Sequence, residues 1–148
     1  MKYFDSDLLH KYREANSMEE RNVYSAQWQK SIDKYWEKFS DISNKLDDNL
    51  VTDFSEGKFH DAKIISMILD FSAEGFHILL KLFYDDSFHV LKHVNVSKFS
   101  TKILPQEMIN YEYGYGEILL DDDDSWTHEF IFAEDCLQFI KCKELILE

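Results

Sequence analysis

His60 and Asp61 form the pair in this chain whose side-chain types most readily suggest chemistry. In metal phosphohydrolases an adjacent histidine and aspartate ligate a metal together with further histidines and aspartates from other helices. Here the pair stands at the head of an apolar run, Phe59-His60-Asp61-Ala62-Lys63-Ile64, that reads as the start of a strand. Neighbouring strand residues point to opposite faces, so the two side chains would not converge on one ion. A turn is the competing reading: Asp61 accepts from nearby backbone amides, and the imidazole bonds a carbonyl at the strand start. A small ligand-binding or metal-dependent hydrolase domain would combine His60 and Asp61 with His128 or Glu112 in a pocket between helix and sheet.

Other spacings are less favourable to catalysis. His89 and His93 would suit zinc on a helix, but on a strand they stand about 13 Å apart. Asp121 to Asp124 resemble calcium ligands in composition alone, because an EF-hand register needs glycine at 126 and glutamate at 132, where Trp126 and Phe132 stand. No phosphate-cradling glycine loop, nucleophile elbow, HExxH or CxxC occurs, and the chain has only four glycines from which to build the first. Cys136 and Cys142 would lie about 20 Å apart on one strand, beyond disulfide reach, and read as reduced thiols. No cofactor or metal is called for.

Charge is the distinctive compositional feature. The net value is −13, and residues 99–148 hold twelve acidic side chains against three basic ones. Such a surface repels phosphate backbones and anionic bilayers, which argues against nucleic acid and membrane as partners. It attracts a basic protein and speeds the encounter, although net charge also serves solubility alone. The partner-contact candidates are accordingly Asp121, Asp122, Asp123 and Asp124, with Trp126 beside them.

The elements that must position these groups follow from periodicity. Leu8, Leu9, Tyr12 and Ala15 mark a short helix that Asn16-Ser17 interrupts. Ser17 and Glu20 have the spacing of a capping box and open a longer helix. Its apolar face is Tyr24, Trp28, Ile32, Tyr35, Trp36, Phe39, Ile42 and Leu46, at intervals of three and four. Continuous to residue 46 it would be about 43 Å long, which outruns a small sheet, so a break or an overhang is expected near Ser40 to Asn44. Residues 47–58 read as a polar linker. Strands follow at 64–71, 76–84 and 88–99, with Ile65, Met67, Leu69 and Phe71 sharing one face of the first. Gln106 to Ile109 suggest one helical turn. A fourth strand covers 117–120, Asp121 to Ser125 form a hairpin tip, and strands at 126–132 and 136–147 close the chain, the last with a bulge. The expectation is one α+β domain over 1–148, with helices at 1–48 packed on a mainly antiparallel sheet of about six strands at 59–148.

The Met1-Lys2-Tyr3-Phe4 opening, the Phe59-His60-Asp61-Ala62 strand start, Tyr111-Glu112 and the closing hairpin from Trp126 to Glu148 resemble a family of bacterial domains of unknown function. That family shares a helical N-terminal region and a Phe/Leu-His-Asp strand start, and the resemblance spans most of the chain. It implies an α+β fold and carries no activity with it; the residues it singles out are His60 and Asp61. Met1 to Asp5 contain no apolar stretch of signal-peptide length, and no run approaches about 18 apolar residues, so the chain reads as soluble and cytoplasmic. Taken together, the residues describe an acidic, non-enzymatic protein-binding module of the immunity-protein kind that docks a basic partner. The alternative is the small ligand-binding or metal-dependent hydrolase domain built on His60 and Asp61.

Overall fold

The long helix begins where its capping residues require. In the computed structural model, which describes residues 2–4, 6–101, 112–132 and 136–148, the Ser17 hydroxyl accepts from the Glu20 amide at 3.1 Å. Glu20 reaches back to the Asn16 amide at 3.0 Å, so two of the free donors of the first turn are satisfied. Helix α1 spans Ser6–Glu14 and α2 spans Met18–Ile42. The helix ends at Ile42 and tightens into one 3₁₀ turn, Ser43–Lys45, so of the break or overhang expected near Ser40 to Asn44 the break is what occurs. Tyr35, Phe39 and Ile42 form its buried stripe, while residues nearer its N-terminus stay more open.

The polar linker reading of 47–58 needs correction. Asp47 caps a third helix, α3 (Asp48–Ser55), its carboxylate accepting from the Leu50 amide at 3.1 Å. Leu50 and Phe54, four apart, are its buried face, and Gly57 ends the segment in the left-handed region at φ 73°. Two large apolar residues among so many polar ones were a faint periodic signal, and packing supplies the rest of the stability.

Among the described residues eight strand segments follow: β1 (Lys63–Ser72), β2 (Gly75–Tyr84), β3 (Ser87–Val94), β4 (Lys98–Thr101), β5 (Tyr113–Leu120), β6 (Trp126–Phe132), β7 (Cys136–Cys142) and β8 (Glu144–Leu147). They form two four-stranded antiparallel sheets, β1-β2-β3-β8 and β4-β7-β6-β5, where a single sheet of about six strands was expected. The difference has a local cause. The expected strand 88–99 breaks after Val94, where Asn95 takes φ 53°, and the strand 136–147 breaks opposite it at Lys143. Backbone bonds from Ser97 to Lys141 (2.8 Å) and from Lys143 to Val94 (2.9 Å) carry the ribbon through the bend from one sheet to the other. A second seam joins the start of β1 to β5, through Asp61 N–H to Tyr113 C=O (2.9 Å) and Tyr113 N–H to Ala62 C=O (2.7 Å). The helical turn expected at Gln106 to Ile109 lies outside the described residues.

The first strand also departs from strict alternation. Its register shifts between Ile64 and Ser66, so Ile64 and Met67, which simple alternation puts on opposite faces, are both buried. Phe71, expected on the covered face with Met67, is 75% exposed beyond the packed part of the sheet and stacks on Phe76 at 4.4 Å. The β2–β3 hairpin turns through Asp85 and Asp86, both at positive φ (49° and 57°), the geometry whose twist matches the flanking strands. Helix α2 lies against β5 and α3 approaches β8. One core cluster runs through helices and both sheets, from Tyr35, Phe39 and Phe54 to Leu80, Phe130 and Ile140. The Tyr35 hydroxyl accepts the Ile118 amide at 2.9 Å and so ties α2 to β5; burial pushes its pKa upward.

Candidate functional site

An open pocket of about 170 Å³ lies among α2, α3, the turn before β1 and the start of β5. Ile32 and Trp36 come to it from α2, Phe54 and Gly57 from the end of α3, Phe59 and His60 from the turn, and Tyr113 and Tyr115 from β5. Phe4 supplies one more wall. The stripe of α2 puts Trp36 one residue from the buried Tyr35, so the same face that covers the sheet also lines the pocket.

Phe4 is held by a buried carboxylate. Glu117 accepts the backbone N–H groups of Lys2 (2.8 Å), Tyr3 (2.6 Å) and Phe4 (2.5 Å), so a charge that would be costly alone is satisfied by three fixed donors. The Phe4 ring then packs between Tyr35 (5.1 Å) and Tyr115 (5.7 Å).

His60 lines the pocket, and Asp61 follows it outside the walls; both lie on the turn before β1 and not within the strand. Asp61 takes φ 68°, a backbone turn that brings its carboxylate to 3.0 Å from His60 Nδ1, so the two side chains meet where a strand would have parted them. Both remain open to solvent (47% and 74%), and the imidazole stands edge-on to Tyr115 at 5.1 Å. Glu112 is exposed, bridged to Lys63 through the backbone, and is not among the pocket's walls.

His128 is fully buried behind the pocket, in a chain of polar groups that sequence reasoning did not assemble. Tyr113 Oη lies 2.8 Å from His128 Nε2, His128 Nδ1 lies 2.8 Å from His93 Nε2, and His93 Nδ1 lies 3.3 Å from the Ile78 carbonyl. One proton arrangement satisfies all of it: Tyr113 donates to His128, His128 to His93, and His93 to Ile78, with both imidazoles neutral. Burial drives His93 down to about 4, and drives His128 well below the usual range with His93 beside it adding to the effect. Burial also raises the Tyr113 hydroxyl well above its ordinary value. Gly116 makes the chain possible, since a Cβ there would overlap Tyr113 Oη. The alternating Tyr113-Gly114-Tyr115-Gly116 was the readable signal: small residues between aromatics mark a place where something approaches the backbone closely.

Two acidic clusters complete the electrostatics. Near the pocket, Lys58 Nζ meets Asp53 (2.8 Å), Glu56 (3.2 Å) and Asp85 (3.8 Å), and Tyr84 donates to Asp53 at 2.7 Å. Burial pushes the Asp53 carboxyl up, but the Lys58 and Tyr84 bonds outweigh it and hold it below its ordinary value. Those carboxylate bonds push Lys58 up to about 12. At the other end lies the Asp121 to Ser125 turn. Asp121 and Asp123 both reach Lys141 (2.8 and 3.2 Å), Thr127 donates to Asp121 at 2.9 Å, and Ser125 bonds Asp123. The Ser125 hydroxyl and Lys141 hold Asp123 at about 2. Two of the four aspartates thus build the turn itself, while Asp122 and Asp124 remain exposed, Asp124 3.9 Å from Lys45. Trp126, expected as an open flank to this run, is 6% exposed and belongs to the core.

His89 stacks on Tyr84 at 3.9 Å and lies 2.7 Å from Ser87 Oγ, whereas His93 faces His128. Among the described residues no three His, Cys, Asp or Glu side chains gather so as to hold one ion, and no described helix is long and apolar enough to cross a membrane. The buried Cys142 thiol is pushed up to about 12 by burial, which leaves it the inert thiol that its surroundings favour. The lining of the pocket holds one titratable imidazole and no serine, cysteine or lysine. No family model matches the chain, and no curated protein matches it.

Proposed function

We propose that this chain is a non-enzymatic protein-binding module that docks a basic partner, in the manner of an immunity protein, and that the aromatic pocket receives an anchoring side chain of that partner. The observation that carries this reading is the pocket's size and lining. At about 170 Å³ it is near the volume that admits a single benzene-sized group and well below the roughly 300–1,000 Å³ of ordinary small-molecule sites. Six aromatic rings wall it: those of Phe4, Trp36, Phe54, Phe59, Tyr113 and Tyr115. Anchor pockets at protein interfaces have this character, with a few buried residues carrying most of the binding energy. The net charge of −13 supports a basic partner by accelerating its approach.

The test is affinity capture from the source cell with three baits: the wild type, Ile32→Trp, which fills the pocket, and the variant with Asp121 to Asp124 all changed to asparagine. A basic protein retained by the wild type and lost by Ile32→Trp is the expected result. Equal retention of the same protein by the wild type and a folded Ile32→Trp would refute the anchoring role. The aspartate variant reports whether the exposed part of the tip contributes to the same encounter.

A second reading, a small ligand-binding or hydrolytic domain, is favoured by one observation: Asp61 bonds His60 Nδ1 beside the pocket, an arrangement that orients an imidazole. Loss of a measured hydrolytic activity on His60→Ala, with the fold intact, would establish it.

A further inference from the structure

We infer that the side chain the pocket takes is an arginine of the partner, an assignment that rests on the docking reading above and adds the chemistry of the anchor. Four features of the site point the same way. The walls are aromatic, and ring faces attract cations, most strongly where water is excluded. The pocket is formed partly by Phe54 and Gly57 at the C-terminal end of α3, where the helix presents the negative end of its dipole. Asp61 follows the lining residue His60, holds Oδ2 toward its imidazole and is 74% exposed, so its carboxylate is open to a cation that projects from the pocket mouth. Lys58, three residues past the end of α3, is engaged by the carboxylates of Asp53, Glu56 and Asp85 and does not offset this potential.

Arginine fits better than lysine on desolvation and shape. A guanidinium is planar, stacks on rings and is more weakly hydrated than an ammonium, so it enters an apolar, aromatic space at lower cost. Its fork of donors also reaches outward to a carboxylate outside the walls, which an ammonium buried to the same depth does less well. A guanidinium is about the size of the benzene-sized group that a cavity of this volume admits. Aromatic and aliphatic anchors fill such a space too, but they make no use of Asp61, of the α3 terminus or of the overall negative charge.

The experiment is an amide-resolved NMR titration of the whole protein with N-acetylarginine methylamide and with the corresponding citrulline compound, a neutral isostere with nearly the same shape. The arginine compound is expected to shift the Gly57, Gly114 and Gly116 amides and the Trp36 indole saturably, and to bind about fivefold or more tightly than citrulline. Asp61→Asn and Tyr115→Leu should each narrow that ratio, and added salt should weaken the arginine compound alone. Both substitutions lie at solvent-accessible or half-buried positions, and their spectra report whether the fold is kept. Equal binding of the two compounds, or no shift at the pocket by either, overturns the assignment of arginine. The docking reading stands or falls separately on the capture experiment, since a pocket that takes a neutral anchor would still lose its partner in Ile32→Trp.

Discussion

Acidification from pH 7 to pH 5 should destabilise this protein through two of its buried imidazoles, His93 and His128. His93 and His128 are neutral inside the sheets, each already supplied with a donor and an acceptor partner. Burial holds His93 at about 4, against about 6.5 in an unfolded chain. Between those values the unfolded state binds a proton that the native state refuses, so stability is full above about pH 6.5 and falls as the pH drops toward about 4. At pH 5 the loss from His93 alone comes to about 2 kcal/mol, roughly a thirtyfold change in the folding equilibrium. His128 is displaced in the same direction and adds to it. Asp53, held below its ordinary value, and Asp123, held at about 2, stay ionised in this range and contribute little. Urea unfolding at pH 7, 6 and 5 measures the change in stability, and the imidazole carbon-bound proton resonances of the folded protein measure the two titrations. A resonance of His93 or His128 that titrates near pH 6.5 in the intact fold, or a stability unchanged between pH 7 and 5, would refute the reasoning.

Two further substitutions probe the architecture around the pocket. Gly116→Ala places a methyl group against Tyr113 Oη and should cost about 2–4 kcal/mol in urea unfolding, from overpacking together with the strained bond to His128. The loss should be smaller in a Tyr113→Phe background, so additive losses would contradict a direct clash. Glu117→Gln removes the charge that three backbone amides share and should cost about 2 kcal/mol, with faster hydrogen exchange at Tyr3 and Phe4; unchanged protection of those amides would mean the carboxylate does not hold the N-terminal segment.

Residue patterns along the chain already determine the class of fold and most of its elements. The helix face of α2 and its capping serine follow from spacings of three and four and from one hydroxyl, and the β1–β2–β3 meander follows from short apolar runs between turn formers. These are local properties, in which neighbours in sequence are neighbours in space. The sharing of strands between two sheets, the bulge that brings Ile64 and Met67 to the same side, and helix α3 within a polar stretch depend on partners tens of residues away. The site belongs to that second kind. His60 and Asp61 stood out as a dipeptide, but their meeting beside a pocket depends on a positive φ and on Tyr115 arriving from β5. His128 was visible as a residue, whereas its burial against His93 and Tyr113 was not, because β5 and β6 must pair in one sheet and β3 of the other sheet must pack against them before those rings can touch. Sequence alone determined the buried face of the long helix and how much negative charge the protein carries. Only the tertiary structure decided which aromatics leave a gap, because a pocket is a failure of packing among distant residues and no local period encodes it.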